Sequence, residues 1–289
     1  MHHNPVKETL RSGATSTGTW LTLGSPAVAE ALAHCGFDWL VVDLEHAPNN
    51  PASAVEQLRA IDAARARGAR AEAIVRLAEN DPVLAKRAMD IGAQTLIFPS
   101  INSADEAHAA VLAMRYPQNG NGGVRGVAGL VRAGRYGLDP LYVNAANEHV
   151  ATIVQIESRS GVDNAAAICA VEGVDCVFLG PSDLAASLGH LGDIRHPDVV
   201  EAMRSVVAHA REAGKAAGVF ANGADDAELF ISWGATFIAL HSDVRWLCQG
   251  AKQETGRLAA KLLPEETIKA QALSKPDRRK VRCSSDGHN

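Results

Sequence analysis

The fold prediction starts from AIVRLAENDPVLAKRAMDIGAQTLIFPS, residues 73–100. The two ends of this segment, Ala73–Leu77 and Thr95–Ser100, are short and largely apolar, as expected for parallel strands buried on both faces. Between them, Asn80-Asp81-Pro82 combines capping side chains with a proline at the first helical position, and Pro82–Asp90 has helical spacing. The segment therefore predicts a strand, a helix and a second strand.

The same alternation runs along the chain. Eight apolar runs occur, at Gly18–Leu23, Trp39–Glu45, Ala73–Leu77, Thr95–Ser100, Thr152–Glu157, Val174–Gly180, Ala217–Ala221 and Phe237–His241. Helical stretches between them include Pro51–Arg67, Pro82–Asp90, Ala104–Arg115, Pro197–Ala213 and Asp225–Trp233. Eight strand–helix repeats in about 250 residues predict an α/β protein with a (β/α)8, or TIM-barrel, domain over residues 1–263. An open doubly wound sheet is the alternative, but the first run ends in Leu23-Gly24-Ser25-Pro26, without a G-x-G-x-x-G loop.

Composition excludes several classes of protein. The 289 residues are 47% apolar, which suits a large core, and 28 Lys and Arg against 33 Asp and Glu give a net charge of −5. This charge and the 4% aromatic content argue against a nucleic-acid partner. No apolar run approaches the ~20 residues that span a bilayer. With no secretory h-region and no CxxC pair among five cysteines, we expect a cytoplasmic protein with reduced thiols and no membrane partner.

Two segments depart from the repeat. Pro117–Leu138 is rich in Gly and Arg, and we expect an irregular loop that acts as a lid or an interface. Residues 264–289 form a polar, partly basic tail that we expect to be disordered. Its basic run could contact an anionic partner, although a solvated tail is the more common case.

Active sites of such barrels lie at the carboxyl ends of the strands. Those ends carry several carboxylates, one arginine and histidines, in the segments Asp43-Leu44-Glu45-His46, Arg76, Gln155-Ile156-Glu157, Gly180-Pro181-Ser182-Asp183 and His241-Ser242-Asp243. We therefore expect these side chains to converge on one mouth.

Glu157 and Asp183 follow neighbouring strands. Adjacent strands lie about 4.8 Å apart, so two carboxylates at their ends can reach one ion. Two oxygen ligands, with other positions left to water and substrate, suit Mg²⁺ or Mn²⁺. Salt-bridged carboxylates at the strand ends fit the spacing equally well.

His46 and Arg76 have one functional and one ordinary interpretation each. A histidine on the turn after the second strand can act as a general base near neutral pH, but an ordinary loop histidine is more common. Arg76 lies in an apolar strand and needs a counter-anion, either Glu45, Glu157 or a bound carboxylate. An internal ion pair explains Arg76 as well as a substrate site does.

The lysines disfavour an imine mechanism. Lys86 is expected on an outer helix and Lys215 at the opposite end of the barrel from the mouth, so neither is placed to form a Schiff base. The backbone of Gly180-Pro181-Ser182-Asp183-Leu184 leads into a helical turn that suits an anionic group, although Gly-Pro turns are common. Together these points favour metal-assisted carbonyl chemistry.

The sequence from Gly18 to Leu247 resembles the HpcH/HpaI family of metal-dependent pyruvate aldolases. The resemblance rests on five ordered motifs, which are FDWLVVDLEHAPN at 37–49, Val75-Arg76 with Asn80-Asp81-Pro82, Arg115-Tyr116-Pro117 with Arg125-Gly126-Val127, Gln155-Ile156-Glu157-Ser158, and Gly180–Ala185. The stretch from residue 172 to residue 199 is most similar to 2-dehydro-3-deoxyglucarate aldolases, with 4-hydroxy-2-oxoheptanedioate aldolases close behind.

The resemblance implies a role for each matching residue. His46 would be the base and Arg76 would stabilise the enolate oxygen. Glu157 and Asp183 would hold Mg²⁺, or Mn²⁺ or Co²⁺ in its place. The substrate would contact Gly180, Gln155, Ser182 and Asp183. Asp90 matches the family's aspartate that raises the basicity of the histidine, and Asp43 is the alternative residue that orients His46.

The resemblance also implies an activity. The expected reaction is cleavage of a 2-oxo-4-hydroxy acid, such as 2-dehydro-3-deoxyglucarate, into pyruvate and tartronate semialdehyde by way of a pyruvate enolate. A 4-hydroxy-2-oxoheptanedioate aldolase, a decarboxylase or an enolate-addition enzyme are alternatives, and a non-catalytic pyruvate-binding protein is a further one. Relatives form homohexamers, which implies a homo-oligomer here. His241, where relatives usually carry glycine, and the Phe220-Ala221-Asn222-Gly223 segment depart from the family pattern.

Overall fold

The computed structural model describes residues 3–262, so the predicted tail at 264–289 lies outside the described residues. Eight strands form a closed barrel in chain order. They are β1 Ser16–Leu21, β2 Trp39–Asp43, β3 Glu72–Arg76, β4 Thr95–Phe98, β5 Ala151–Ile156, β6 Val174–Leu179, β7 Ala216–Ala221 and β8 Phe237–Ser242. All eight pairings are parallel, and β1 pairs with β8 to close the barrel. The predicted (β/α)8 barrel is confirmed.

Helices alternate with the strands along the chain. They are α1 Pro5–Ser12, α2 Pro26–Ala33, α3 Pro51–Arg65, α4 Pro82–Asp90, α5 Ala104–Ala113, α6 Tyr142–Ala145, α7 Arg159–Asp163, α8 Ala165–Cys169, α9 Pro181–Ser187, α10 Pro197–Glu212, α11 Ala224–Trp233 and α12 Asp243–Leu262. Several begin with a capping side chain followed by proline, as at Ser25-Pro26 and Asp81-Pro82. None of the helices within residues 3–262 is both long and apolar enough to cross a membrane.

Aromatic side chains fill the inside of the barrel. Trp39 stacks on Phe237 with ring centroids 3.9 Å apart. A Cβ added at Gly18 would lie 2.0 Å from the Trp39 ring, so only glycine leaves room for this indole. Nearer the carboxyl ends of the strands, the Trp20 ring lies 5.3 Å from Phe178. These rings close the barrel interior beneath the predicted mouth.

The Gly- and Arg-rich loop at Pro117–Leu138 is not a lid over the mouth of its own chain. It links α5 to β5 and therefore lies at the end of the barrel where the strands begin. Arg125, fully buried, anchors the loop there by donating to Asp90 at 3.1 Å and to the Tyr142 hydroxyl at 3.0 Å. The loop is mostly irregular, as expected, with a short 3-10 segment at Arg132–Gly137.

Contacts divide the chain into two units. The first runs to Val244 and contains the whole barrel, and the second begins at Arg245 within α12.

The described cysteines are free thiols, with Cys169 and Cys176 buried and Cys35 and Cys248 exposed.

Candidate active site

A cavity of about 230 Å³ opens at the carboxyl ends of the strands. Its walls combine charged and polar side chains with aromatic rings, and the lining residues are Trp20, Thr22, Asp43, His46, Arg76, Gln155, Phe178, Gly180, Pro181, Ser182, Asp183, Phe220 and Ser242. Most of the side chains predicted to converge therefore do so. No lysine from the described part of the chain lines this cavity, which agrees with the expectation that Lys86 and Lys215 lie elsewhere.

Arg76 is held by two carboxylates at the edge of this cavity. Its Nε and Nη2 donate to the two oxygens of Asp43 at 2.9 and 2.7 Å, and its Nη1 lies 2.9 Å from Oε2 of Glu45. Burial opposes the charge of Arg76, but the hydrogen bonds and charge of Asp43 and the charge of Glu45 outweigh burial and raise its pKa. Glu45 was a predicted counter-anion, whereas the fully buried Asp43 was not.

Asp43 also fixes the loop that carries His46. The same Oδ1 that binds Arg76 accepts from the backbone N–H of Glu45 at 3.0 Å and, more weakly, of His46 at 3.5 Å. Asn49 donates to the carbonyl oxygen of Asp43 at 2.8 Å. Asp43 therefore orients the backbone at His46 and the guanidinium of Arg76. As the alternative residue for orienting His46, it was expected to contact the imidazole ring instead.

The His46 ring itself lies largely in solvent at the cavity edge. Its side chain is 64% exposed, and its Nε2 is 3.8 Å from Oε1 of Glu45. Burial raises the pKa of Glu45, while the charge of Arg76 opposes this rise. Glu45 was expected at the mouth as a possible partner for Arg76, and its position between Arg76 and His46 makes it part of the site.

Glu157 stands beside the cavity, with its carboxylate fixed by neighbours. Oε1 accepts from the backbone N–H of Ser100 at 2.9 Å and from the Ser100 hydroxyl at 3.0 Å, and Oε2 accepts from Nε2 of Gln155. Ser100 has a left-handed backbone conformation, with φ of 55°, and this aims both of its donors at Glu157. Ser100 was not predicted as a site residue, because no motif marks it and its backbone conformation is visible only in the structure.

Gly180 gives Glu157 the space that it occupies. A Cβ at Gly180 would lie 2.7 Å from Oε2 of Glu157 and 3.0 Å from Nε2 of Gln155. Immediately after Gly180, α9 begins, and its first turn presents Ser182 and Asp183 to the cavity with exposed side chains. The predicted segment 180–183 therefore forms one wall of the site.

The donor groups here fit a hard divalent cation. Glu157, Asp183 and the amide oxygen of Gln155 are oxygen ligands of the type that Mg²⁺ and Mn²⁺ prefer. The Oε1 atom of Gln155 is buried and has no hydrogen-bond donor among the described residues, which is costly unless a donor or a cation faces it. A cation or its bound water would satisfy this atom.

Asp90, unlike the other predicted site residues, lies far from the cavity. It is the last residue of α4, and the chain turns from there into β4, so it lies at the opposite end of the barrel from His46. Its carboxylate accepts from Arg125 instead. The contact with His46 that the resemblance implied is therefore not formed within one chain.

The end of β8 contributes less than expected. Of His241-Ser242-Asp243, only Ser242 lines the cavity. Asp243 instead accepts from the backbone and hydroxyl of Thr22, at 2.9 and 2.7 Å, tying the end of β1 to β8. His241 is 93% buried, with φ of 53°, and its carbonyl oxygen accepts from Thr19. The unusual residues at this strand therefore shape the barrel end.

A (β/α)8 barrel with an arginine, a histidine and acidic side chains around one cavity at its strand ends has the architecture of a TIM-barrel enzyme. The chain belongs to the HpcH/HpaI aldolase/citrate lyase family, whose model matches residues 16–249. The resemblance inferred from the motifs is thus confirmed.

Similar proteins narrow the class further. A hydroxypyruvate/pyruvate aldolase of Paraburkholderia phytofirmans is 50% identical over 251 residues, covering 86% of this chain and 95% of that protein. A 5-keto-4-deoxy-D-glucarate aldolase of Salmonella paratyphi C is 43% identical over 241 residues, covering 83% and 91%. The crystal structure of an HpcH/HpaI aldolase/citrate lyase family protein from Burkholderia cenocepacia matches with a TM-score of 0.86 at 47% identity, covering 89% and 99%. The protein is an aldolase, a carbon–carbon lyase.

Proposed function

We propose that this aldolase cleaves a 2-oxo-4-hydroxy acid into pyruvate, released from its enolate, and an aldehyde. The observation that carries the proposal is the guanidinium of Arg76, fixed by Asp43 and Glu45 at the cavity wall. A positive charge that is already oriented stabilises the negative charge that develops on the 2-oxo oxygen when the C3–C4 bond breaks. Because its partners hold it in place before substrate arrives, little reorganisation is needed in the transition state.

The other side chains of the cavity have separate tasks in this proposal. His46, with its exposed ring beside Glu45, accepts the proton of the 4-hydroxyl group. Gln155, Ser182 and Gly180 contact the carboxylate end of the substrate. Glu157 and Asp183 would hold the divalent ion, with Mg²⁺ proposed first and Mn²⁺ or Co²⁺ as substitutes. When bound, such an ion supplies Lewis-acid polarisation of the ketone.

We propose 2-dehydro-3-deoxyglucarate as the substrate, with tartronate semialdehyde as the aldehyde product. The 43% identity to a protein named 5-keto-4-deoxy-D-glucarate aldolase supports this choice. Hydroxypyruvate is a second candidate for the enolate-forming partner, because the relative at 50% identity is named a hydroxypyruvate/pyruvate aldolase. As enolate donors, pyruvate and hydroxypyruvate differ by one hydroxyl group at C3.

The test is pyruvate release from 2-dehydro-3-deoxyglucarate by chelator-treated protein, with and without Mg²⁺, Mn²⁺ or Co²⁺. We expect release only when a metal is present, and Glu157→Gln, which keeps the size of the side chain but removes its negative charge and one acceptor oxygen, should lose it. Folded protein that releases no pyruvate with any of the three metals would overturn the assignment. Condensation of hydroxypyruvate with an aldehyde, measured in parallel, tests the second donor.

We also propose the domain bounds, the localisation and the oligomeric state that the family resemblance implied. Residues 1–263 would form the catalytic domain and 264–289 a tail, in a cytoplasmic homo-oligomer, with a hexamer as the expected state. Native mass measurement at micromolar concentration tests the assembly, and a strict monomer would contradict it.

A further inference from the structure

A second group of metal-binding side chains lies away from the cavity described above. His190, His196 and Asp198 belong to the segment between α9 and the first turn of α10. One imidazole nitrogen from each histidine and one carboxylate oxygen of Asp198 all lie within 4.8 Å of one another. No other such set of three is present in residues 3–262. We propose that these three residues bind a divalent transition-metal ion of the Zn²⁺ type, independently of the proposed aldol reaction.

The distances fit tetrahedral coordination. Oδ2 of Asp198 lies 3.1 Å from Nε2 of His190 and 3.7 Å from Nδ1 of His196. Zn²⁺ binds nitrogen and oxygen at about 2.0–2.1 Å, so two ligands of one tetrahedral ion are separated by about 3.3 Å. The two observed separations lie on either side of this value. Two of the ligand separations are therefore already close to those around a bound ion.

The ligand types favour Zn²⁺ here, whereas Mg²⁺ is the first ion proposed at Glu157 and Asp183. Two imidazoles and one carboxylate suit Zn²⁺, Co²⁺ or Ni²⁺, whereas an all-oxygen site suits Mg²⁺. Nδ1 of His196 accepts a hydrogen bond from the backbone N–H of Asp198 at 3.3 Å, so this nitrogen is unprotonated, and a metal bound to its lone pair would replace that hydrogen bond at the start of α10. Three protein ligands leave the fourth position of a tetrahedral ion to water.

Coordination requires the two rings to turn relative to each other. They are stacked, with centroids 3.4 Å apart and planes 13° from parallel, and a metal lies close to the plane of each imidazole that it binds. The His190 and His196 side chains are 24% and 34% exposed, and Asp198 is 68% exposed, so each has solvent on one side. The change involves side-chain torsions only.

A metal at this position would add a link across the loop between α9 and α10, beside the existing pair of Arg195 with Asp226. The segment between α9 and α10 contains Gly189 and Gly192, both with positive φ, and an exposed Leu191. It continues directly from α9, whose first turn carries Asp183. Binding would therefore stabilise the folded chain and restrain the helix that forms one wall of the cavity.

The experiment is a titration of chelator-treated full-length protein with Zn²⁺, and with Co²⁺ as a spectroscopic probe, in excess Mg²⁺ that saturates the all-oxygen site. We expect one Zn²⁺ per chain, the visible absorption of tetrahedral Co²⁺, and a rise in the thermal midpoint of roughly 5 °C or more at a hundredfold excess over Kd. His190→Ala and Asp198→Asn should each weaken Zn²⁺ binding at least tenfold. His209→Ala is the matched control, since His209 lies on α10, pairs with Glu212 and belongs to no such cluster.

The outcomes separate clearly. Loss of the bound Zn²⁺ in His190→Ala and Asp198→Asn but not in His209→Ala supports the site. No Zn²⁺ bound by the parent protein in excess Mg²⁺, or equal affinity in all four proteins, overturns it. Circular dichroism of each variant shows whether it is folded, and two separate ligand variants keep the test valid if one of them is not. Pyruvate release is not part of the readout, so failure of the proposed reaction leaves this result intact.

Discussion

Replacing Asp43 with asparagine tests the role of the buried pair with Arg76. Asparagine keeps the size of the side chain and one acceptor oxygen, so no cavity is created. It removes the negative charge and points an amide N–H₂ group at one of the Arg76 donors that now lie at 2.7 and 2.9 Å. Within residues 3–262, Glu45 is then the one carboxylate still paired with Arg76.

The size of the effect follows from burial. Removing one partner of a buried ion pair costs about 3–5 kcal/mol of unfolding free energy. Because asparagine keeps one hydrogen bond and Glu45 keeps part of the charge balance, we expect about 2–3 kcal/mol for Asp43→Asn. At about 2–4 °C per kcal/mol for a domain of this size, the thermal midpoint falls by roughly 4–12 °C. Activity should fall by about 10²–10³-fold, as when one oriented donor is lost from an oxyanion site.

Two measurements check this prediction. Thermal unfolding by circular dichroism gives the stability change, and pyruvate release coupled to NADH oxidation gives kcat and KM. Asp62→Asn is the control, because Asp62 is 53% exposed and its pairs with Arg65 and Arg132 contribute about 0–1 kcal/mol each. If Asp43→Asn unfolds within 1 °C of the parent and keeps its kcat, Asp43 neither stabilises the barrel end nor holds Arg76 for catalysis.

Three further predictions concern a glycine, a thiol and a carboxylate. Gly180→Ala should lower kcat/KM at least tenfold, because its Cβ would lie 2.7 Å from Oε2 of Glu157 and displace that carboxylate. Burial raises the pKa of the Cys169 thiol to about 11, so iodoacetamide at pH 8 should modify the exposed Cys35 far faster, as measured by peptide mass spectrometry. Burial also raises the pKa of Glu45, so the folded chain keeps this proton to higher pH than the unfolded chain does. The unfolding free energy of the parent relative to Glu45→Gln, from urea denaturation, should therefore fall as pH rises from about 4 to 7.

Each of these has a control and a contrary result. Gly129→Ala should be neutral, since nothing lies within 4 Å of its Cβ position, and equal activity of the two alanine variants would show that Gly180 leaves no needed space. Equal modification rates for the buried and exposed thiols would show that the outer layer of the barrel opens readily. A relative stability that increases with pH would show that the attraction of Arg76 outweighs burial at Glu45.

Much of the fold follows from local signals. Residues 73–100 combine two apolar runs with a capped helix, and such segments recur with little variation, so the strand count and the barrel could be predicted. The helix α1 at the start of the chain was not anticipated, because it precedes the first repeat. Its cap residue, Asn4, binds Thr95 at 3.1 Å and the carbonyl of His149 at 2.9 Å, and such long-range partners are invisible in sequence.

The site residues that lie at the carboxyl ends of strands could be predicted from the sequence. His46, Arg76 and Gln155 all line the cavity because parallel strands end on one side of a barrel. The ion pairs within the site were harder to predict, since a sequence does not show that Asp43 rather than Glu157 neutralises Arg76. Ser100 escaped notice because its contribution depends on a left-handed backbone conformation, with φ of 55°.

The aromatic rings under Arg76 affect how substrate and products can enter and leave the active site. The Arg76 guanidinium lies 5.6 Å above the Trp20 ring, which packs against Phe178 and Phe220. Substrate and products therefore enter and leave by the same opening of the cavity. In the proposed reaction, the enolate would lie beside Arg76 and the aldehyde nearer the cavity opening, so the aldehyde would leave first. A different aldehyde added at that moment can take the vacated place, and the enzyme would swap one aldehyde for another without ever releasing pyruvate.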